Sequence, residues 1–282
     1  MSARFALFRR MTAGACAVLF GVSPLLAQNP ALSPVSGQQP AAQPAAAAGA
    51  HPLDPGLARA VESLKHIKEN VKDYTATLVK RERVNGTLGN PEYIFTKVRH
   101  EPFSVYMYFL KPDDVAGREV IYVHGANNGN MLVHEAKGAG RLLGTIELNP
   151  TAALAMRGNR YPITEVGVQN LTKRLIDVAE NDRQFGECDV RMEESKINDR
   201  QCTMLQVVHP VPRKNFLFHV ARVFMDDELK MPIRYESYDW PEKAGGTPVL
   251  IEEYTYLKMS VNNNLTDEDF SPRNPKYNFR GK

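Results

Sequence analysis

Between residues 74 and 259, short runs rich in β-branched and aromatic residues alternate with tight polar turns, and only one stretch shifts to a helical period. Residues 74–84 end at Asn85-Gly86, 92–99 lead into 103–110, and 119–124 and 131–134 flank a Gly- and Asn-rich turn before 141–148 completes a meander. Strands joined by such short turns pair antiparallel. Residues 189–197, 202–209, 215–225, 233–238 and 249–259 repeat the pattern, with Asp226-Asp227-Glu228 as a polar turn. The run 103–110 is the most demanding: Phe103, Val105, Met107 and Phe109 occupy one face, Ser104, Tyr106, Tyr108 and Leu110 the other. Such a strand is covered on both faces, or at least carries an aromatic second face.

Helical spacing appears in three places. Residues 53–72 follow Asp54-Pro55 as cap and first-turn proline, with Leu57, Val61, Leu64 and Ile67 as the apolar stripe. Residues 150–156 read as a short helix and 164–179 as a longer one with Val168, Leu171, Leu175, Ile176 and Ala179 on its apolar side. A last turn is expected at 266–270, capped by Thr266 with Asp269 three residues on. No strand–helix alternation implies a parallel nucleotide-binding sheet. The expected fold class is α+β, a large curved antiparallel sheet with helices packed on one face.

The first 50 residues are of another kind. Arg4, Arg9 and Arg10 precede an apolar stretch from 11 to 26 that closes at Ser23-Pro24-Leu25-Leu26-Ala27. A positive start, an apolar run and a small residue at the end make an export signal, with cleavage expected after Ala27. Cys16 lies inside the apolar run and reads as an ordinary member of it. Residues 28–50 are Ala, Pro, Gln, Ser and Gly without charge, a disordered linker by composition. The expected organisation is a signal peptide at 1–27, a linker at 28–50 and a single domain at 51–282, in the periplasm or otherwise outside the cytoplasm.

Charge narrows the partners. Of 35 Lys and Arg residues only those three arginines fall in the leader, which has no acid, so the remainder balances the 32 acidic residues. Nothing concentrates the basic stripe that a nucleic acid requires, and the same count disfavours an anionic membrane surface. Membrane association is expected to be peripheral at most.

Catalytic signatures are sparse. Gly-x-Ser-x-Gly, His-Glu-x-x-His and Cys-x-x-Cys are absent, and the glycines at 138, 140 and 144 read as turn chemistry. Asp113-Asp114 and Asp226-Asp227-Glu228 read as solvated turn carboxylates. If the hairpin centres on Gly129, His124 and His134 face each other as two weak metal-ligand candidates, short of the usual three or four. His209 and His219 read as structural. Cys188 and Cys202 are the two cysteines beyond the leader, an even number suited to a disulfide in an oxidising compartment. A simple hairpin at Asn198-Asp199 would separate them by about 25 Å. Either that turn is broader, or both are free thiols.

Two segments carry a resemblance. The run from Ile94 through Arg99, Pro102 and Phe103 to Pro112 resembles a strand pair of the LolA/LolB and RseB superfamily of envelope proteins. Asp226 with Leu229, Met231-Pro232 and Arg234 is similar to a hairpin of that superfamily, and Asp267 to Phe270 to its closing segment. Within it the chain resembles an exported bacterial family of unknown function. The resemblance implies an open half-barrel capped by helices around an apolar cavity, to which Phe103, Val105, Met107, Phe109, Phe216, Phe218 and Val220 are the candidate contributors. It implies a non-enzymatic binding protein for a lipid, acyl chain or lipoprotein, without cofactor. A sensor or scaffold that binds an envelope protein is the alternative, and a metal-dependent enzyme using His124 and His134 the third.

Overall fold

In the computed structural model, residues 51–279 are described; the expected signal peptide and linker lie outside them. The described chain runs α1 (Asp54–Asn70), β1 (Asp73–Val84), β2 (Thr87–Leu88), β3 (Glu92–Arg99), β4 (Ser104–Lys111), β5 (Glu119–Val123), β6 (Met131–His134), β7 (Thr145–Leu148), α2 (Val168–Asp182), β8 (Asp189–Ile197), β9 (Arg200–Val208), β10 (Val220–Asp226), β11 (Pro232–Asp239) and β12 (Val249–Val261). The strands form one antiparallel sheet in the order β7-β6-β5-β4-β3-β1-β12-β11-β10-β9-β8, with β2 paired to β1. The edge strands β7 and β8 do not meet, so the sheet is open and the chain is of the α+β class, as the turn spacing and alternation predict; the open half-barrel is the form that the resemblance implies.

The first strand and the last meet in the middle of the sheet. Leu78 stands opposite Tyr256 and Glu82 opposite Glu252. That seam joins two meanders, β3 to β7 on one side and β8 to β11 on the other. Both helices cover one face. At the start of α2, Gly167 has φ +107°, and a Cβ there would lie 3.0 Å from the Tyr74 hydroxyl. This close approach lets the wholly buried Tyr74 accept the Val168 N–H at 3.2 Å. At the other end of α2, buried Asp182 lies 3.4 Å from buried His209, whose ring stacks on Phe216 at 3.9 Å. Burial pushes Asp182 up and His209 down, favouring the neutral form of each.

The first helix keeps part of its predicted stripe: Ile67 is buried and Leu57 lines the cavity beneath it, but Val61 is 51% exposed while Gly56 and Ser63 are buried. A Cβ on Gly56 would come within 2.8 Å of Leu205, and Ser63 donates to the Lys230 carbonyl at 2.8 Å. Small residues bring α1 against the sheet, and the wider apolar stripe turns partly outward. Asp54 is the first residue of the helix rather than its cap, and it accepts the His51 N–H at 3.0 Å. Residues 150–156, expected as a helix, are turns; Asn149 accepts the Thr151 N–H at 2.9 Å, a side-chain bond that competes with helical pairing.

The second face of β4 is covered by the C-terminal segment. Val105, Met107 and Phe109 join the core beneath the helices, whereas Tyr106 packs with Ile121, Leu132 and Phe270 on the opposite face. Tyr277 stacks on Tyr106 at 4.0 Å, and buried Glu119 accepts from Tyr106 at 3.1 Å and from the Asn278 side chain at 2.6 Å. The Thr266–Asp269 capping box forms as its spacing predicts, and Lys97 pairs with Asp269 at 2.6 Å.

Asp226 organises the turn between β10 and β11. It accepts the N–H groups of Glu228 at 3.0 Å and Leu229 at 2.8 Å, and pairs with Arg200. Burial alone would push its carboxyl up, but the Arg200 guanidinium and the two N–H donors together hold it below the usual carboxylate range. A depressed folded-state pKa contributes stability above the unfolded value, about 3.9, and loses it as pH falls through the folded value. Asp226→Asn is therefore expected to unfold more easily at neutral pH and to show a shallower loss of stability below about pH 4. Urea titrations across pH check this; an unchanged acid slope contradicts it.

Candidate functional site

Between the helices and the sheet lies a cavity of about 860 Å³, within the roughly 300–1,000 Å³ usual for ligand pockets. Its floor alternates along the strands: Leu78 on β1, Ile94 on β3, Met107 and Phe109 on β4, Val120 on β5, Met131 and Val133 on β6. Across the seam it continues over Leu205, Val207, Ala221, Val223 and Ile251, and α2 supplies Leu171, Leu175 and Val178 from above. Tyr74 and His209 fix α2 and Gly56 and Ser63 fix α1, while Val168 and Ile67 bring each helix into the core beside the cavity.

At the seam the apolar floor is interrupted. Glu82 and Glu252, both buried, stand directly opposite one another on β1 and β12. Like charges in that position repel, the more so away from water. Their compensation comes both from the strands and from the chain between β7 and α2, a strap lining the cavity. Arg160 Nε donates to Glu252 at 2.9 Å, its backbone N–H to Glu82 at 3.1 Å, and its Nη1 to the Arg83 carbonyl at 3.0 Å. Tyr161 donates to Glu252 at 3.1 Å, and Ser237 reaches the same oxygen at 3.3 Å. The Tyr254 hydroxyl donates to Glu82 and lies 3.2 Å from Glu252. Lys80 pairs with Glu82 at 3.4 Å and Glu92 at 3.1 Å and also bonds Asn159 of the strap.

Burial, then the Glu252 carboxylate, pushes the Tyr161 phenol up to about 12. The same causes with Glu82 added hold Tyr254 far above the ordinary tyrosine range. Both phenols thus stay protonated donors. Every carboxylate oxygen of the pair has a donor, and the cluster acts as a clamp. Sequence reasoning missed it, although a signal was present: Lys80 and Glu82 continue the phase of Tyr74, Ala76 and Leu78, placing charge on the face of β1 that turns inward.

The candidate residues separate. Met107, Phe109 and Phe218 stand on the cavity wall. Val105 is wholly buried in the core and Phe103 packs against its edge, tilted on Tyr122 at 6.1 Å. Phe216 and Phe218 precede β10 instead of lying on it, since His209-Pro210-Val211-Pro212 and the residues up to His219 form a loop; proline offers no N–H for a ladder. Phe216 is taken up by His209, and Val220 is buried opposite Val208. His134 stands opposite Glu119, so His124 falls beyond the paired strands and is exposed, and the two do not face each other. A 3-10 turn at Asn127–Gly129 shifts the hairpin from the register assumed. Among the described residues no group of three or more His, Cys, Asp or Glu side chains is placed to hold a metal ion. Cys188 and Cys202 are free thiols, Cys202 standing opposite Ser195, far along β8 from Cys188.

Residues 71–279 match the family model described as Protein of unknown function (DUF1571), and the chain belongs to that family. No curated protein matches the sequence. Solved structures similar to it include the Pseudomonas aeruginosa MucA/MucB complex (16% identity, 77% of this chain and 60% of that one, TM-score 0.41). The Mycobacterium tuberculosis lipoprotein LppX is 16% identical over 74% of this chain and 98% of that one, with a TM-score of 0.41. A LolA superfamily protein from Nitrosomonas europaea is 9% identical over 76% and 97%, with a TM-score of 0.32.

Replacing Arg160 leaves Glu252 and Glu82 with their mutual repulsion. Arg160→Ala is expected to lower the unfolding free energy by about 1–3 kcal/mol, less than for a fully buried pair because the guanidinium is partly exposed. It should also quicken tryptic cleavage after Arg157. An unchanged cleavage rate contradicts the clamp.

Proposed function

We propose that this member of the DUF1571 family is an exported, non-enzymatic binding protein that holds an apolar ligand, an acyl chain or lipid of the cell envelope, between its helices and its sheet. The observation that carries this reading is the hollow of about 860 Å³ floored by Leu78, Ile94, Met107 and Val120. An apolar cavity of that size has little to offer water, whereas a hydrocarbon chain gains dispersion contacts and leaves solvent on entering it. Methionine on the floor suits a chain of variable shape, because its side chain repacks at little cost. The polar clamp lies at the seam, where it would meet the polar end of an amphiphile while the hydrocarbon occupies the floor. Export supports the same reading, since the arginine-led apolar start of the sequence has the form of a signal peptide.

A role in pairing with an envelope protein through the sheet edges is less favoured. The edge strand β8 carries Asp189, Arg191, Glu193, Glu194 and Lys196, and charge along an edge discourages strand addition.

Met107→Trp is expected to fill part of the floor and weaken binding of a fluorescent long-chain fatty acid by at least about tenfold, equivalent to about 1.4 kcal/mol. Tyr108→Trp, on the opposite face of the same strand, should leave affinity near that of the wild type. Equal affinity for all three proteins, or no uptake by the wild type, contradicts the reading.

A further inference from the structure

The alternating strand directions sort the connections into two rims. One rim gathers the turns at residues 85–91, 112–118, 135–144, 183–188, 209–219 and 240–248. The other gathers those at 100–103, 124–130, 198–199, 227–231 and 262–266. Exposed apolar side chains are not shared evenly between them. Leu110, Leu142, Leu143, Phe185, Val211 and Leu217 all stand at the first rim, and Leu142 is 88% exposed. Among the described residues the other large exposed apolar side chains are Val61 on α1 and Leu154 on the strap. The second rim has none.

Charge follows the same division. The loop at 135–144 places Lys137 and Arg141 beside Leu142 and Leu143, and its acid, Glu135, is paired with Arg118 at 2.8 Å. The loop at 209–219 places Arg213 and Lys214 beside Val211 and Leu217, and Arg213 pairs with Glu187 of the neighbouring loop at 2.6 Å. Over its six turns the first rim has seven Lys and Arg against five Asp and Glu. The second rim has Glu101, Asp199, Asp227 and Glu228 against Lys230 alone, with asparagines at 262, 263 and 264. The formal neutrality of the folded region therefore conceals a polarity along the strands, apolar with a small cationic excess at one end, acidic and polar at the other. Strand order also sets the two leucine loops far apart across the sheet, one beside the edge strand β7 and one between β9 and β10. Leu143 and Leu217 both belong to the cavity wall.

We infer that this rim is a docking surface for an anionic lipid bilayer, which presents the cavity directly to the membrane. Exposed leucines enter the boundary between headgroups and acyl chains, and the neighbouring lysines and arginines meet the lipid phosphates. A protein partner or a second copy would bury the leucines without needing the cations beside each pair. The inference extends the reading of an exported apolar-ligand protein to the source of its ligand, and it rests on that reading.

Residues 51–279 contain the whole described core, and a chain spanning them can be tested alone. Sedimentation with vesicles of phosphatidylglycerol and phosphatidylethanolamine should show binding at least tenfold stronger than with phosphatidylcholine alone, weakened by salt. The pair Leu142→Ser and Leu143→Ser should lower it at least tenfold, and Val61→Ser, on α1, should leave it unchanged. The sole tryptophan, Trp240, lies at this rim and reports docking by its fluorescence. Absence of vesicle binding, equal binding by the paired serine variant, or concentration-dependent dimerisation that this variant abolishes would overturn the inference. Fatty-acid uptake is measured separately: uptake without docking removes the docking surface alone, and docking without uptake removes the cavity reading alone.

Discussion

Two carboxylates facing each other across neighbouring strands, out of water, set the terms for the rest of this molecule. Glu82 and Glu252 meet where the first strand joins the last, and burying both there carries a cost that donors from other segments offset. Arg160 and Tyr161 come from the strap, Tyr254 and Ser237 from the strands. The strap is thus held by these charged and polar bonds together with the packing of Ile163, which is buried in the core with Ala155 and Val166 against it.

The sheet presents the complementary solution on its other face. There β4 offers Tyr106 and Tyr108, and the chain returns after β12 to cover them with Phe270, Tyr277 and Phe279. One face is closed tightly by a short segment with stacked rings and a buried carboxylate. The opposite face is spanned by helices that enter the core at Ile67 and Val168 and leave the cavity between themselves and the strands. The difference in how the two faces are covered produces one solid layer and one hollow one.

Most of the architecture was legible because strand alternation and turn chemistry act locally. Glu92–Arg99 and Asp189–Ile197 match their expected bounds, and the aromatic second face read in 103–110 is covered. The failures came where a neighbour decided the outcome. Val61 turned outward because Gly56 and Ser63 set the helix against Leu205 and Lys230, which apolar spacing does not record. His124 and His134 parted because the turn at 127–129 shifted the hairpin register, and Phe216 left the strand to stack on His209 at the start of its own loop. The Glu82–Glu252 pair depended on a register between residues 170 positions apart; the inward phase of Lys80 and Glu82 hinted at it, but its partner was invisible.

The central claim is that the space over Leu78, Ile94 and Met107 is hollow and apolar. Crystals of residues 43–282 pressurised with xenon test it most directly, since xenon settles in dry apolar cavities. The account expects ordered xenon over Ile94 and Met107, or lipid density already in its place. A floor closed by side chains, with xenon absent and no room for a chain, would contradict it.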